Sequence, residues 1–307
     1  MADRRLQVFH AVARHGSFTR AAEHLFMTQP AVTFQIKQLE EHFNTRLLDR
    51  GHGKVTLTPA GEIVLAYAER ILNLSDELES RVSELTDELA GTLTIGTSTT
   101  IAAYWMPHLV ESFKRKYPRV IPRVIVGNSQ LTEGRVASRE IDLGLIEIVT
   151  DQPGIERTTA ARDELLVICK PGHPLSSASA LSAADLLDHP FITRDPGNAI
   201  RELAEGFFEA AGIGMEQLMI CAELGSLATV KHLAAQGQGF AIASAVAIQR
   251  DLREGRLAAV PLEPRLYTPL EVIIPKDKFR SRLITTFAEH AVRELADMAA
   301  HGGSEDN

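Results

Sequence analysis

The chain is short of the features that would place it in an oxidising compartment or a bilayer. Its 307 residues hold two cysteines, Cys169 and Cys221, too few for a disulfide framework. Both lie among strand-like apolar residues, the setting of buried inert thiols. No apolar run approaches the length needed to span a bilayer, and MADRRLQVFHAV has basic residues without the apolar core of an export signal, so the expected location is cytoplasmic. Positive charge is also lacking overall: the net charge is −8, which on its face argues against nucleic acid. Five histidines fall in the first 58 residues, at 10, 15, 24, 42 and 52, but no pair stands at i, i+4 with a third ligand nearby, so neither a metal nor another cofactor is assigned. Glu147 and Glu223 are the only acids where a reaction centre would lie, and no partner motif accompanies them.

What is present is uneven. The length suggests two or three domains, and 45% hydrophobic residues allow sizeable cores. Residues 1–58 carry eight Lys or Arg against five acids, a net +3 that leaves −11 on the remainder. A basic head on an acidic body fits a protein that binds DNA with one module only. Within the head, residues 18–43 read FTRAAEHLFMTQPAVTFQIKQLEEHF. Ser17 is placed to cap a helix carrying Ala21, Ala22 and Leu25 at three-to-four spacing. That run stops near Phe26 and Met27, and Thr28, Gln29 and Pro30 restart a helix, with Pro in a first turn where its missing N–H costs nothing. Val32, Ile36, Leu39 and Phe43 then form one buried stripe, and Thr33, Gln35, Lys37 and Gln38 face away from it. The second helix of a helix-turn-helix contacts base edges with such residues near its start: Gln pairs with adenine, Thr touches a thymine methyl, Lys reaches guanine or phosphate. An ordinary surface helix shows the same polarity.

Order and spacing add to this. LQVFHAVARHGSFTRAAEHL, then TQPAVTFQIKQLEEHF, then RLLDRGHGKVTLTPAG together resemble the winged helix-turn-helix of the LysR-type transcriptional regulators. Phe34 departs from the pattern, since many members carry a small or polar residue there; it either meets a thymine methyl or fills space. The candidate DNA-contacting residues are Ser17, Thr19, Thr28, Gln29, Pro30, Ala31, Thr33, Phe34, Gln35 and Lys37. Residues 46–58 read as a hairpin wing turning at Gly51 and Gly53, with Arg50 and Lys54 available for phosphate or minor groove, or else plain surface charges.

Thr58-Pro59-Ala60-Gly61-Glu62 opens a long helix with Thr58 as cap and Pro59 at its first position. Ile63, Tyr67, Ile71, Leu74, Leu78, Val82, Leu85 and Leu89 make a narrow apolar seam along it, which predicts a coiled coil with a second copy, the alternative being a helix packed on its own domain. Such a dimer sets two recognition helices against the half-sites of a dyad promoter.

From Leu93 strands and helices alternate: a strand at 93–95, a helix at 101–116, strands at 120–126 and 142–148 around a helix at 130–139, strand-like LLVICK at 165–170, a helix from Ser182, PFI at 190–192, a helix at 198–211, then MICAEL, a helix from Ser226, GFAIAS, LEVIIP at 270–275 and a helix from Arg280. That rhythm predicts a mostly parallel sheet with helices on both faces. Two α/β lobes, with the last strand and helix returning to the first, resemble the periplasmic-binding-protein-like effector domain of the same family. The implied architecture is a winged helix-turn-helix at 1–58, a linker and dimerisation helix at 59–90, and an effector-binding domain at 91–307 whose first lobe is 91–162 with 266–307 and whose second is 163–265. Such lobes hold ligands between them, where helix N-termini converge. Thr97, Ser98, Thr99 and Thr100 follow one strand, Asn128, Ser129 and Gln130 another, Glu223, Gly225 and Ser226 a later one, and TRDPGN lies at 193–198. The effector candidates are Ser98, Thr99, Thr100, Asn128 and Ser129 first, then Glu147, Arg194 as counter-charge, Asn198, Glu223 and Ser226. Each also reads as a helix cap or turn residue, but together they form a donor-rich cup suited to a small anion or carboxylate. GNSQ, DLGLIE, TRDPGNAIRE and ELGSLATVKHLAAQGQGFAI are similar to the subgroup containing sulfur-assimilation and carbon-fixation regulators, though Asn198 and Ile200 replace the Ser and Thr often found there. The resemblance implies a DNA-binding regulator, not an enzyme, with promoter DNA, a small-molecule effector, copies of itself up to a homotetramer and RNA polymerase as partners, and no membrane. A solute receptor or an enzyme on the same two-lobed scaffold is the competing class.

Overall fold

A computed structural model describes residues 3–51, 54–85, 89–150, 152–276 and 281–302. The chain divides into two compact units, the first built on residues up to Glu88 and the second beginning at Leu89.

The first unit opens with α1 (Arg4–His15), which Asp3 caps and which ends at Gly16 in the left-handed region (φ 58°). The short α2 (Phe18–His24) follows, and the Ser17 hydroxyl accepts from Arg20 N–H at 3.4 Å, the expected cap. The chain turns through Phe26, at φ 52°, into α3 (Gln29–Phe43). Val8, Phe9 and Val12 of α1 pack on Ala21 and Ala22 of α2 and on Val32, Ile36 and Leu39 of α3, closing one core with Leu47 and Leu48. Phe43, expected on the buried stripe, is 45% exposed: it ends the helix, beyond the reach of that core. Glu40 accepts from the backbone N–H groups of Leu47 (2.8 Å) and Leu48 (3.2 Å), fixing the exit of α3 to the wing. The wing is β1 (Leu48–Gly51) paired antiparallel with β2 (Lys54–Leu57). Its Gly53 turn lies outside the described residues.

Thr58 then ties the wing to α4 (Pro59–Leu85), donating to the Arg46 carbonyl at 2.8 Å and accepting from Gly61 N–H at 3.0 Å. Gly61 has a steric reason to be glycine: a Cβ there would stand 2.0 Å from the Leu47 carbonyl oxygen. Along α4, Ile63, Tyr67, Ile71, Leu74 and Leu78 are all exposed. The side chains of Val82 and Leu85 lie outside the described residues, and Leu89 is not part of the seam, because it packs in the core of the second unit.

The second unit is one eight-stranded sheet ordered β4-β3-β5-β10-β6-β9-β7-β8. Its first lobe comprises β3 (Gly91–Thr97), α5 (Thr99–Tyr104), α6 (Met106–Lys116), β4 (Val120–Val126), α7 (Ser129–Ala137) and β5 (Leu143–Ile146), with β3 parallel to both β4 and β5. The expected helix at 101–116 breaks at Trp105, because Pro107 at the start of α6 has no N–H to continue the ladder. Then β6 (Ile155–Cys169) crosses to the second lobe, which comprises β7 (Phe191–Arg194), α8 (Ala199–Ala210), β8 (Ile220–Leu224), α9 (Leu227–Ala235), β9 (Phe240–Ser244) and α10 (Ala245–Arg253). The helix expected from Ser182 is a single 3₁₀ turn at Ala184–Leu186. The return is β10 (Ala258–Pro275), antiparallel to β6 from Ala258↔Cys169 to Pro275↔Ile155, and α11 (Arg282–Gly302) closes on the first lobe through Phe287 and Leu295. The sheet is therefore two parallel groups joined by one long antiparallel pair rather than mostly parallel throughout. Cys169 is buried as expected, whereas Cys221, on the edge strand β8, is exposed.

Candidate functional site

Two surfaces gather the singled-out residues, one in each unit. In the first, α3 exposes Gln29, Pro30, Phe34 and Lys37, with Ala31, Thr33 and Gln35 half-buried between them. Gln29 donates to the Thr33 hydroxyl at 3.0 Å, so two side chains able to read base edges are held together one turn apart. Phe34, 57% exposed, stands in the same helix as an apolar group with no core to fill. Lys37 reaches Glu41 at 3.6 Å, an exposed contact of little energy that a phosphate would displace. Thr19 and Thr28 are exposed and Ser17 is half-buried, its hydroxyl used by the cap. The side chains of Arg50 and Lys54 lie outside the described residues.

In the second unit the caps come first. Ser98 accepts from Ile101 N–H (3.1 Å) at the start of α5, Asn128 from Leu131 N–H (2.8 Å) at α7, Asn198 from Ile200 N–H (3.1 Å) at α8 and Ser226 from Thr229 N–H (3.5 Å) at α9. Ser129 accepts from the N–H groups of Glu147 (3.4 Å) and Ile148 (3.3 Å). The polar residues at these junctions are thus partly structural, as their types predict. Other buried groups in these segments have no such use. The hydroxyls of Thr97 and Thr100, the Nη1 of Arg194 and the Oδ1 of Asp195 are buried without a hydrogen-bond partner among the described residues. Arg194, 3% exposed, donates from Nε to the Leu224 carbonyl (3.2 Å) and from Nη2 to the Gly225 carbonyl (3.1 Å). The Asp195 carboxylate is 3.6 Å from Nη2, beyond a hydrogen bond, and Nη1 is left over. Burial depresses the guanidinium pKa while Asp195 and Glu147 raise it, and an arginine stays charged under such influences. A buried donor left unsatisfied costs about 1–3 kcal/mol, more when charged, so Thr97, Thr100 and Arg194 each stand to gain from an acceptor that reaches them.

The two lobes come together in these segments. Gly197, on the second lobe with φ 77°, lies so near Asn128 of the first that a Cβ would be 3.4 Å from its Nδ2. Glu147, just past β5, is 2% exposed and takes a hydrogen bond from Ser98. Burial pushes its carboxyl up to about 7; Ser98 and Arg194 oppose that and Asp163 adds to it. Asp163, on β6, is pushed by burial up to about 6 against the Ser244 hydroxyl and the N–H groups of Val246 and Ala245. Ser98, Ser129 and Arg194 are therefore gathered around Glu147, and Asn128 of the first lobe lies beside Gly197 of the second, while Thr100 and Asn198 stand at the heads of α5 and α8. Thr99, Glu223 and Ser226 are exposed, and Glu223 is engaged by Arg201. Thr97 stood unranked among its neighbours, and Asp163 escaped the sequence reading altogether, because a lone Asp entering a strand carries no motif. Among the described residues no group of three His, Cys, Asp or Glu could hold a metal ion, and no helix is long and apolar enough to cross a membrane.

Comparison with known proteins matches both units. Residues 4–62 fit the family described as bacterial regulatory helix-turn-helix protein, lysR family, and residues 86–296 fit the LysR substrate binding domain. A protein of Porphyra purpurea named "Probable RuBisCO transcriptional regulator" is 32% identical over 300 residues, covering 96% of this chain and 95% of its own. A protein of the same name from Cyanidioschyzon merolae is 34% identical over 292 residues, covering 92% and 95%. The fold is shared with a full-length OxyR variant from Pseudomonas aeruginosa, at TM-score 0.70 and 20% identity over 96% of this chain and 94% of that one.

Proposed function

The chain belongs to the LysR family of bacterial transcriptional regulators, and from that premise we propose that it reads a dyad promoter site with paired α3 helices and that a small anion held between the lobes sets the geometry of the pair. It is a regulator rather than an enzyme. The DNA-reading group is Gln29, Thr33, Phe34, Gln35 and Lys37, with Ser17, Thr19, Thr28, Pro30 and Ala31 packed close to the duplex and Arg50 and Lys54 on the backbone.

The exposed seam of Ile63, Tyr67, Ile71, Leu74 and Leu78 supports dimerisation through residues 59–90, since an apolar strip of that length on a monomer would stay in water. Two such dimers, paired through residues 91–307, give the homotetramer, and RNA polymerase is the further partner at the promoter. RuBisCO promoters, named by the relatives, are the first to test.

The observation that supports the effector side is a buried Arg194 on the second lobe whose Nη1 has no hydrogen-bond partner among the described residues, together with the equally unpartnered buried hydroxyls of Thr97 and Thr100 on the first. A carboxylate or other small oxyanion accepts from all three, and it does so only when both lobes contribute. Ligand then favours one lobe arrangement over another, a population shift that the linker helices carry to the DNA-binding pair. A thermal-shift screen of the full chain against small anions tests this. An anion at about 100 times its dissociation constant should add roughly 2.7 kcal/mol, and a screen in which no anion raises the melting temperature contradicts the reading.

A further inference from the structure

The charges of the cleft do not balance around a bound anion. Among the described residues Arg194 on β7 is the cation within electrostatic reach of Glu147, and Asp163 on β6 is the other charge it feels. The remaining neighbours of Glu147 are uncharged: Ser98 at the head of α5 donates to its carboxyl, Ser129 of α7 accepts from its N–H, and Thr268 of β10 donates to its carbonyl at 3.4 Å. Tyr104 of α5 stands near Arg194. Asp163 is well supported where it is, with the Ser244 hydroxyl and the Val246 N–H (3.5 Å) both donating to it. Among the described residues the Glu147 carboxyl has only the Ser98 hydroxyl to support its charge besides Arg194. Arg194 also has the Asp195 carboxylate 3.6 Å from its Nη2, so with Glu147, Asp163 and Asp195 ionised the cluster carries two excess negative charges before any ligand arrives. An arriving anion would make three, beside a Glu147 buried from water, where each uncompensated charge is severely penalised.

We propose that an anion entering this cleft is accompanied by one proton, taken from solvent onto the Glu147 carboxyl, so that effector binding and local acidity are coupled. The inference rests on the reading of the cleft as the effector site. Chemically it is a protonation alone: one O–H bond forms on Glu147, nothing is oxidised or displaced, and the excess charge returns to its value before binding. The protonated carboxyl gains a donor that the carboxylate lacks, so it can hydrogen-bond the anion it would otherwise repel. Because burial already holds this carboxyl up to about 7, the proton is taken up at little cost near neutrality. Affinity for an anion is then nearly level below that pH and falls about tenfold per pH unit above it. A ligand that brings its own ammonium group would leave Glu147 ionised and show no such dependence.

The test is titration calorimetry of the full chain with sulfate and with succinate, neither of which titrates appreciably between about pH 6.5 and 8.5, in buffers of different ionisation heat. Expected for the unmodified protein is uptake of about one proton per anion at pH 8 and a dissociation constant roughly fivefold weaker at pH 8 than at pH 7. Glu147→Gln should bind with no proton uptake and no pH dependence. Thr100→Val, which removes one unpartnered hydroxyl at constant shape, should bind more weakly yet keep the linkage. Binding that weakens in Thr100→Val but takes up no proton, or an unchanged pH slope in Glu147→Gln, overturns the proposal and leaves the cleft reading intact. Absence of saturable binding by either anion, or binding indifferent to Thr100→Val, overturns both.

Discussion

Replacing Glu147 by Gln should stabilise the effector-binding unit, and only at neutral pH and above. The folded carboxyl titrates at about 7 against an ordinary 4.5. A raised folded pKa means that the stability present below 4.5 is lost as the pH climbs to 7 and stays lost beyond it. At 1.36 kcal/mol per pH unit the loss is about 3 kcal/mol. Gln keeps the shape and carries no charge, but its amide adds a buried donor that costs about 1 kcal/mol, so the net gain at pH 8 is about 2 kcal/mol. Near pH 5 little of the loss has developed, and the variant should match or fall slightly below the parent. Asp163, raised to about 6 by the same burial, titrates in both proteins and largely cancels in the difference. Urea unfolding followed by fluorescence reports this unit specifically, because Trp105 is the sole tryptophan and sits in the first-lobe core. A difference between the two proteins that is equal at pH 5 and pH 8 would refute the argument that a buried charge is at issue.

Three further substitutions test the first unit. Gly61→Ala forces a Cβ to 2.0 Å from the Leu47 carbonyl, so α4 must shift from the wing; overpacking of this kind costs about 1–3 kcal/mol, visible as a lowered helix melting temperature while Trp105 fluorescence unfolding is unchanged. Gln29→Ala removes a base-reading side chain and the bond that holds Thr33, and competition gel shifts should show specific affinity down by about 1–3 kcal/mol with non-specific affinity nearly constant. Equal loss on both DNAs would assign Gln29 to the backbone instead. Leu74→Lys places a charge in an exposed seam without touching a core, and sedimentation should show smaller assemblies at unchanged fold; retention of the parent's size would rule out the seam as the dimer contact.

The helix-turn-helix was the most legible part of the chain, because caps, a Pro at a helix start and a three-four apolar rhythm are local signals: Ser17, Pro30, Val32, Ile36 and Leu39 all stand where their types direct. Phe43 misled because a stripe extrapolates past the end of the core it serves. Leu89 continued a seam by spacing alone, yet belongs to the next unit. The long pair β6 and β10 was read only at its apolar ends, LLVICK and LEVIIP, since IERTTAARDE and PLEPRLYTP alternate poorly where the strands run between lobes. Cys221 looked buried from its neighbours, but β8 is a sheet edge, and a sequence does not announce which strand is last. In the cleft, residue types identified the caps, whereas the unpartnered hydroxyls of Thr97 and Thr100 and the pairing of Glu147 with Asp163 arise from which strands lie side by side. Those are long-range facts that periodicity does not encode.

Whether a small anion between the lobes resets how paired recognition helices sit on a dyad can be read by footprinting. The full chain and Thr100→Val would be compared on a promoter fragment, with and without each anion that raises the melting temperature. Expected are two symmetric half-sites about one helical turn or a multiple apart, a protected span that changes when anion is added, and a Thr100→Val protein that protects the same half-sites but does not change. A span that no anion alters, or that alters equally in Thr100→Val, would contradict this role of the anion.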